Sequence, residues 1–310
     1  MKAIYITEPG HVEIREIEKP VRKPGEALLK ILYGGICGSD LGSYRGTFAY
    51  FDYPRKGVVN ACMDNQTMGC QRDGAFCEYI TMPLERIYDG KGMDPKLLAA
   101  IEPFCISYHG VQRAGIKKGD KVLVVGAGTI GVLAGCAAKA LGGEVYMCDV
   151  AEKKLRYAMD TFGFDGMILN DSPEALEKAV GEITGQIDIR GTKNNYGFDV
   201  CIEAVGLPST FQNCIDAAAF GGKVVLIGVG KKNLDFNFTL IQKKELNVFG
   251  SRNALKKDFV ELIDLVNAGK ADLGHVITNM YQADDAAEAF AEFDKNGAEM
   301  LKVVLDFSKF

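Results

Sequence analysis

Short apolar runs alternate with amphipathic stretches between about residues 122 and 250. Six of the apolar runs predict β-strands, at 122–126, 144–149, 166–170, 198–204, 222–228 and 246–250. Several of them show no alternation of polar and apolar residues, which is typical of strands in a parallel sheet that is covered on both faces. Because helical segments lie between these runs, the pattern predicts a doubly wound α/β domain.

The pattern differs on both sides of this central region. Residues 1–105 contain short runs such as KAIYI, EALLKILY and FCEYITMP, separated by Pro and Gly, and predict a mainly β region. After residue 250, apolar positions at helical spacing predict a helix over about 255–268 that stops at Gly269. A second amphipathic helix is predicted over about 283–294, and the final apolar run, KVVLDF, predicts a closing strand.

Two local features interrupt the central region. Ser172 predicts a helix N-cap, Pro173 the first helical position, and Gly181 the end of that helix. The following stretch, GQIDIRGTKNNY at 185–196, is polar and glycine-rich, and it is long for a connection between a helix and a strand. It predicts a mobile surface loop, and a functional loop is the alternative.

The composition is that of a globular protein, and 310 residues are enough for two domains. A net charge of −5 leaves no basic excess that would favour nucleic acid. No apolar stretch is long enough to span a bilayer, and the N-terminus, MKAIYITEPG, predicts a strand and not a signal peptide. We therefore expect a cytoplasmic protein without nucleic-acid or membrane partners, whose nine cysteines are thiols or metal ligands. Five cysteines fall in strand or helix patterns and are predicted to be small buried apolar residues: Cys105, Cys136, Cys148, Cys201 and Cys214.

The run VLVVGAGTIG at 122–131 places a glycine motif directly after a strand and at the start of a helix. In this G-x-G-x-x-G spacing, Gly126 allows a tight turn, Gly128 lets the backbone approach a pyrophosphate, and Gly131 lets helix and strand pack closely. The motif in this position predicts a dinucleotide-binding site. The alternative is a turn that packs a helix against a strand and binds no ligand.

The phosphates of a dinucleotide would lie at the helix N-terminus, where free N–H groups and the helix dipole favour negative charge. Asp149 ends the next predicted strand, where a carboxylate can accept hydrogen bonds from the ribose hydroxyls and would repel a 2′-phosphate. The sequence therefore predicts NAD over NADP, although Lys153 and Lys154 could partly accommodate that phosphate. The predicted cofactor-binding residues are Gly126, Gly128, Thr129, Ile130, Gly131, Asp149, Lys154 and Gly228.

Further motifs are similar to those of one enzyme superfamily. GICGSD at 35–40, DGAFCEY at 73–79 and IEP at 101–103, together with the Gly126 motif, resemble the medium-chain, zinc-dependent alcohol dehydrogenases. FGSRNA at 249–254 is similar to the sorbitol dehydrogenase-like branch, and to galactonate and idonate 5-dehydrogenases in particular. The resemblance covers nearly the whole chain and implies NAD and zinc as cofactors and a homo-oligomer, a dimer or tetramer.

The resemblance also implies a domain organisation. A GroES-like, mainly β catalytic domain would be built from both chain ends, at 1–112 and 251–310. A Rossmann domain that binds NAD would occupy 113–250.

In that family a Cys, a His-Glu pair within a Gly-His-Glu motif and sometimes a later Glu bind the catalytic zinc. Cys37 matches the Cys and Glu102 the later Glu, so the resemblance implies these two as catalytic and metal-binding residues, with Ser39 in the proton relay. The Gly-His-Glu motif is absent, because no Glu is adjacent to any of the chain's histidines, which are His11, His109 and His275. His109 falls in a predicted helix and is expected to be structural.

Comparison with the family's motifs indicates that several tens of residues are absent between about Arg55 and Lys56. They would have carried the His-Glu pair, part of the β-barrel and most of the lobe that binds a structural zinc. Cys62 resembles the last ligand of that lobe, but Cys62, Cys70 and Cys77 lack a usual zinc spacing and are interpreted as leftover thiols. The predicted fold is therefore an α/β Rossmann sheet with a truncated GroES-like domain. Because catalytic zinc needs about three protein ligands, two would bind it weakly.

Two functions remain open at this point. One is an NAD-dependent oxidoreductase that oxidises a secondary alcohol of a polyol or sugar acid with zinc assistance. The alternative is a catalytically impaired or engineered NAD-binding protein that lacks the catalytic zinc. Arg252 follows the last Rossmann strand, where its guanidinium could bind a substrate carboxylate through two hydrogen bonds. Alternatively, Arg252 ties the domains together or pairs with an acid near the zinc.

Overall fold

The computed structural model describes residues 1–47, 67–69, 73–172, 174–230 and 232–310. The chain divides into two compact units, which we call the first unit (Met1–Glu102 with Leu273–Phe310) and the second unit (Pro103–Asp272). The first unit is thus built from both ends of the chain. The predicted domain boundaries after residues 112 and 250 differ from these divisions, and they remain a proposal.

The first part of the chain is mainly β, as its short apolar runs predict. Its elements are β1 (Lys2–Glu8), β2 (His11–Glu16), β3 (Glu26–Lys30), β4 (Tyr33–Ile36), α1 (Gly38–Tyr44), β5 (Tyr79–Pro83) and α2 (Pro95–Leu98). β1 pairs with β2, and β3 pairs with β5, both antiparallel. The predicted deletion point at Arg55 and Lys56, and also Cys62 and Cys70, lie outside the described residues.

A six-stranded parallel sheet forms the centre of the second unit. From Ile101 onward the chain forms α3 (Ile101–Ala114), β6 (Lys121–Val125), α4 (Thr129–Ala140), β7 (Glu144–Asp149), α5 (Glu152–Phe162), β8 (Gly166–Leu169), α6 (Ala175–Thr184), β9 (Gln186–Ile189), β10 (Thr192–Asn195), β11 (Phe198–Glu203), α7 (Pro208–Ala217), β12 (Ala218–Leu226), α8 (Thr239–Lys243), β13 (Asn247–Gly250) and α9 (Lys256–Asn267). The strand order is β13-β12-β11-β6-β7-β8, and every pairing is parallel. The predicted doubly wound α/β domain is confirmed.

The order of this sheet reverses between β6 and β11. In open α/β sheets, ligands bind beyond the carboxyl ends of the strands at such a reversal. β6 can occupy the centre because its run KVLVV is apolar on both faces, and Val122, Leu123 and Val124 are fully buried. The residues between β6 and α4 are therefore placed where a ligand is expected.

The stretch 185–196, predicted as a mobile surface loop, is instead a β-hairpin of β9 and β10. Arg190 and Gly191 form its two-residue turn with φ angles of 55° and 82°, the left-handed backbone that tight hairpins need. The Asn195 side chain donates a hydrogen bond to the Glu177 carbonyl on α6, at 2.7 Å. The hairpin is thus anchored on the preceding helix, a long-range contact that its polar sequence does not reveal.

The predicted helix end at Gly181 is also wrong. α6 has Glu174 and not Ser172 as its N-cap, and it continues past Gly181 to Thr184. A Cβ atom at Gly181 would lie 2.5 Å from side-chain atoms of both Gln186 and Asn195, so glycine is needed there for close packing of the hairpin. Pro173 lies outside the described residues.

The C-terminal part completes the first unit. Its elements are β14 (Ile277–Gln282), α10 (Ala286–Asn296) and β15 (Lys302–Asp306). β15 lies between β14 and β4, and it is antiparallel to β4. A buried apolar cluster that includes Ile36, Phe290 and Phe307 joins these elements. The predicted helices at 255–268 and 283–294 and the closing strand correspond to α9, α10 and β15.

Candidate functional site

A glycine-rich turn joins β6 to α4 at the point where the sheet order reverses. Gly126 has φ +109°, a backbone conformation that side chains disfavour. A Cβ atom at Gly131 would lie 1.7 Å from the Gly126 carbonyl oxygen, so helix and turn touch through backbone alone. A Cβ atom at Gly128 would meet nothing within 4 Å. The turn therefore packs tightly against the start of α4 at Gly131, whereas the space beside Gly128 is open.

The first turn of α4 offers backbone donors at this opening. Gly128 is the N-cap, and no side chain caps the helix. The first N–H groups of a helix have no partner within it, and they carry the positive end of the helix dipole. Thr129 and Ile130 hold such N–H groups, and the Ile130 carbonyl is itself anchored by the Ser107 hydroxyl at 2.8 Å. The arrangement suits a phosphate group.

Asp149 ends β7 and lies against the same turn. One carboxylate oxygen accepts a hydrogen bond from the Ala127 N–H at 2.6 Å, and the other accepts one from the Ala151 N–H at 2.9 Å. Asp149 thus helps to hold the glycine-rich turn, a role that the sequence did not predict. Each oxygen keeps further acceptor capacity that ribose hydroxyls could use. Lys154 lies in the first turn of α5, and its N–H donates to the Ala151 carbonyl.

Glu203, at the end of β11, is a residue that the sequence analysis missed. It is only 2% exposed. Its Oε1 accepts hydrogen bonds from the N–H groups of Val205 and Gly206 at 2.9 and 2.7 Å and from the Thr210 hydroxyl at 2.7 Å. A Cβ atom at Gly228 would lie 2.5 Å from its Oε2, so glycine is required where β12 ends. Glu203 therefore shapes the backbone along the carboxyl edge of the sheet, and the only sequence signal was an acid at the end of an apolar strand.

The first unit contains the predicted metal-binding residue Cys37. It is the N-cap of α1, and its sulfur accepts hydrogen bonds from the N–H groups of Ser39 and Asp40 at 3.3 and 3.5 Å. In return, the Asp40 carboxylate accepts one from the Cys37 N–H at 2.8 Å. Burial, and secondly the charge of Asp40, raise the pKa of the Cys37 thiol to about 11. The thiol is thus held in a reciprocal capping arrangement that favours its neutral form.

Lys302 is the cation of this region, and the sequence analysis missed it as well. Its side chain is buried, and its ammonium group donates a hydrogen bond to the Ile36 carbonyl at 3.0 Å. Burial lowers the pKa of Lys302, while attraction to Cys37, Glu102 and Asp40 acts in the opposite direction. We call these four residues the Cys37 cluster. Glu102 is its solvent-exposed member, at the start of α3.

The donors that the structure describes around Cys37 do not fit a catalytic zinc ion. The described part of the chain contains no group of three or more His, Cys, Asp or Glu side chains that could hold a metal ion. Within the Cys37 cluster, Asp40 is occupied in capping α1. His109 forms a 2.8 Å contact between its Nδ1 and Asp258 in the second unit. Cys37 and Glu102 alone fall short of the roughly three protein ligands that catalytic zinc needs.

The structure also shows which of the other predicted residues are exposed and which are buried. Arg252 is exposed and follows the end of β13 on the carboxyl side of the parallel sheet. Cys77 is buried, and its thiol donates to the Tyr79 carbonyl at 3.3 Å. The five cysteines predicted to be buried are all buried: Cys105, Cys136, Cys148, Cys201 and Cys214. Among the described residues, no helix is both long enough and apolar enough to cross a membrane.

Comparisons with known proteins agree with this geometry. A family model described as zinc-binding dehydrogenase matches residues 129–268. The chain is 29% identical to L-galactonate-5-dehydrogenase of Escherichia coli K12, covering 99% of both chains, and 26% identical to a sorbitol dehydrogenase of Halalkalibacterium halodurans, covering 98% and 99%. A solved structure of an Escherichia coli CFT073 protein described as a short chain alcohol dehydrogenase, in complex with NADH, matches 99% of both chains with a TM-score of 0.85 and 26% identity.

The match to the L-galactonate-5-dehydrogenase extends over 348 positions, whereas this chain has 310 residues. At least 38 of the 348 positions, the difference from 310, therefore have no residue of this chain opposite them. The shortfall agrees with the missing segment that the sequence motifs indicated.

Proposed function

The chain belongs to the zinc-dependent medium-chain alcohol dehydrogenase family, and from this premise we propose that it is an oxidoreductase that uses NAD to oxidise a secondary alcohol of a polyol or a sugar acid. The observation that carries the proposal is the turn between β6 and α4, which is closed at Gly131 and open at Gly128. Such a turn admits a pyrophosphate beside the first N–H groups of α4, which have no partner within the helix itself. Two similar proteins are named as an L-galactonate-5-dehydrogenase and a sorbitol dehydrogenase, which supports the substrate class.

In this proposal the chain's own residues bind and orient the dinucleotide. The N–H groups of Thr129 and Ile130 hold the pyrophosphate, and Gly128 lets it approach the backbone. Asp149 accepts hydrogen bonds from the adenosine ribose, and Lys154, in the first turn of α5, is the proposed cofactor-binding residue that follows it in the chain. Gly228 keeps the neighbouring strand end free of a side chain. NAD, when bound, supplies the acceptor for the hydride of the alcohol.

Selectivity for NAD over NADP provides the first prediction. Replacing Asp149 with Ser should reduce the ratio of NAD to NADP affinity roughly tenfold, equivalent to about 1.4 kcal/mol, because the charge that repels a 2′-phosphate is lost. Calorimetric titration with both dinucleotides measures the ratio. Asp149→Asn is the matched control, because it keeps an acceptor for the Ala127 N–H while removing the charge. Unchanged selectivity in both variants would exclude Asp149 from the ribose site.

The proposed function does not assign a role to zinc, because too few matched ligands are present. The family description implies zinc, but Cys37 and Glu102 are the only matched ligands, and they do not fit a closed catalytic site. We therefore derive no step through the metal. Ser39, whose N–H is bonded to the Cys37 sulfur, remains the proposed start of a proton relay from the alcohol.

Arg252 is the proposed substrate residue, because a guanidinium can hold a carboxylate through two parallel hydrogen bonds. Arg252→Lys should raise the KM for an aldonate such as L-galactonate several-fold more than the KM for sorbitol. Only the aldonate has a carboxylate, and an ammonium group cannot hold it through two parallel hydrogen bonds. Steady-state kinetics on both substrates measures this difference. Equal losses on the two substrates would show that Arg252 supports the fold and does not bind a carboxylate.

The function itself is tested by following NADH formation with the purified protein. Oxidation of a sugar acid or polyol, dependent on NAD, is the expected result. Binding of NAD without oxidation of L-galactonate, L-idonate or sorbitol would contradict the proposed activity while leaving the dinucleotide site intact. A homo-oligomer and a cytoplasmic location are part of the same proposal.

A further inference from the structure

The strand register places Lys302 next to Cys37. β15 and β4 are antiparallel, with Val303 opposite Ile36, so the residue before Val303 lies opposite the residue after Ile36. The Lys302 side chain is held there by the bond from its ammonium group to the Ile36 carbonyl. Only 4% of the residue is exposed, so this charge cannot turn to bulk solvent.

Gly35 makes the space that Lys302 fills. A Cβ atom at Gly35 would lie 2.4 Å from the Lys302 Cε and 2.9 Å from its Nζ. A side chain at position 35 would therefore displace the ammonium group. The glycine at position 35 is therefore needed for the Lys302 side chain to pack where it does.

A buried ammonium group needs anionic partners, because burying an unpaired charge is costly. The groups that attract Lys302 are Cys37, Glu102 and Asp40, of which the two carboxylates are the anions and Cys37 attracts it only as a thiolate. Two of them, Cys37 and Glu102, are the residues that match the family's zinc ligands. The same donors would therefore have to serve two cations.

We propose that the Lys302 ammonium group is the resident cation of the Cys37 cluster and that it competes with divalent metal ions for Cys37 and Glu102. A metal ion that approaches Cys37 meets a fixed positive charge held by the Ile36 carbonyl, and like charges at this distance repel. Among the residues that the structure describes, the cluster offers it only Cys37 and Glu102 as further donors, since the Asp40 carboxylate caps α1. The chain therefore binds zinc weakly at this site, and its lysine neutralises the site instead.

The proposal does not rest on dehydrogenase activity, because metal content and absorbance test it. Protein stripped with a chelator is incubated with one equivalent of zinc, passed through a desalting column and analysed for bound metal. Co²⁺ titration then reports Cys37 ligation through thiolate-to-cobalt absorption. The variants are Lys302→Met, the double variant Lys302→Met with Cys37→Ala, and Lys30→Met as a control for losing an exposed strand lysine.

We expect the unmodified protein and Lys30→Met to retain well below one zinc per chain. Lys302→Met should bind Co²⁺ at least roughly tenfold more tightly, with a thiolate absorption that disappears in the double variant. Stoichiometric, tightly held zinc in the unmodified protein would overturn the proposal. So would a folded Lys302→Met variant whose Co²⁺ affinity is unchanged.

Gly35→Ala provides a second test if Lys302→Met does not fold. The added methyl group occupies the position of the Lys302 side chain and should move the ammonium group away from Cys37. We expect the same gain in Co²⁺ affinity and the same thiolate absorption. Unchanged Co²⁺ binding by folded Gly35→Ala would also overturn the proposal.

Discussion

Gly131→Ala is expected to destabilise the second unit by about 3 kcal/mol and to abolish dinucleotide binding. The added Cβ would lie 1.7 Å from the Gly126 carbonyl oxygen, which no rotamer change can relieve because both atoms belong to backbone. Gly126 is itself fixed, since its N–H donates to the Cys148 carbonyl at 2.7 Å. The start of α4 would have to move away from β6. Urea denaturation followed by circular dichroism, with NAD titration by calorimetry, measures both effects.

Gly128→Ala is the matched control on the same turn. Its Cβ meets nothing within 4 Å, so the folded protein should lose no more than about 1 kcal/mol. NAD affinity should nevertheless fall at least roughly tenfold, because the methyl group would occupy the position of the pyrophosphate. Normal NAD affinity in Gly128→Ala would mean that the turn serves helix packing and not a ligand. Normal stability in Gly131→Ala would mean that the turn is not packed as described.

Asp258→Ala is expected to lower the free energy of unfolding by on the order of 3 kcal/mol. Asp258 is fully buried in α9. Its Oδ2 contacts the His109 Nδ1 at 2.8 Å and accepts a hydrogen bond from the Leu255 N–H at 2.7 Å. Removing the carboxylate takes this partner from the buried His109 ring and from the partly buried Leu255 N–H, and it removes the bond that closes the first turn of α9. Chemical denaturation measures the loss.

Asp264→Ala, at an exposed position of the same helix, provides the control and should change stability by less than about 0.5 kcal/mol. His109→Ala, combined with Asp258→Ala, shows whether the two residues act together. If they do, the loss in the double variant should be smaller than the sum of the single losses. Additive losses, or a loss below about 1 kcal/mol in Asp258→Ala, would contradict a coupled buried pair.

The Rossmann-type sheet was predictable because its signals are local. Each strand is a short apolar run, and each connection carries helical spacing, so the six strands follow from residues close to one another in the chain. The glycine motif and Asp149 could also be identified from the sequence. Both follow a predicted strand, the position where a dinucleotide-binding turn and an acid that binds the ribose are expected. The ends of individual elements were less certain. Gly181 was mistaken for a helix end because its partners, Gln186 and Asn195, become neighbours only when the hairpin folds back on α6.

The sequence by itself determined the fold class, the dinucleotide turn and the absence of a Gly-His-Glu motif. Each of these features depends on patterns of residues that lie close together in the chain. Only the tertiary structure decided what surrounds Cys37. Lys302 is 265 residues away in the chain and meets Cys37 through the pairing of β15 with β4. The His109 contact with Asp258 and the bonds of Glu203 likewise join residues through the packing of separate segments or turns. Charge partners of buried groups depend on which strands and helices become neighbours, and local sequence patterns do not specify those neighbours.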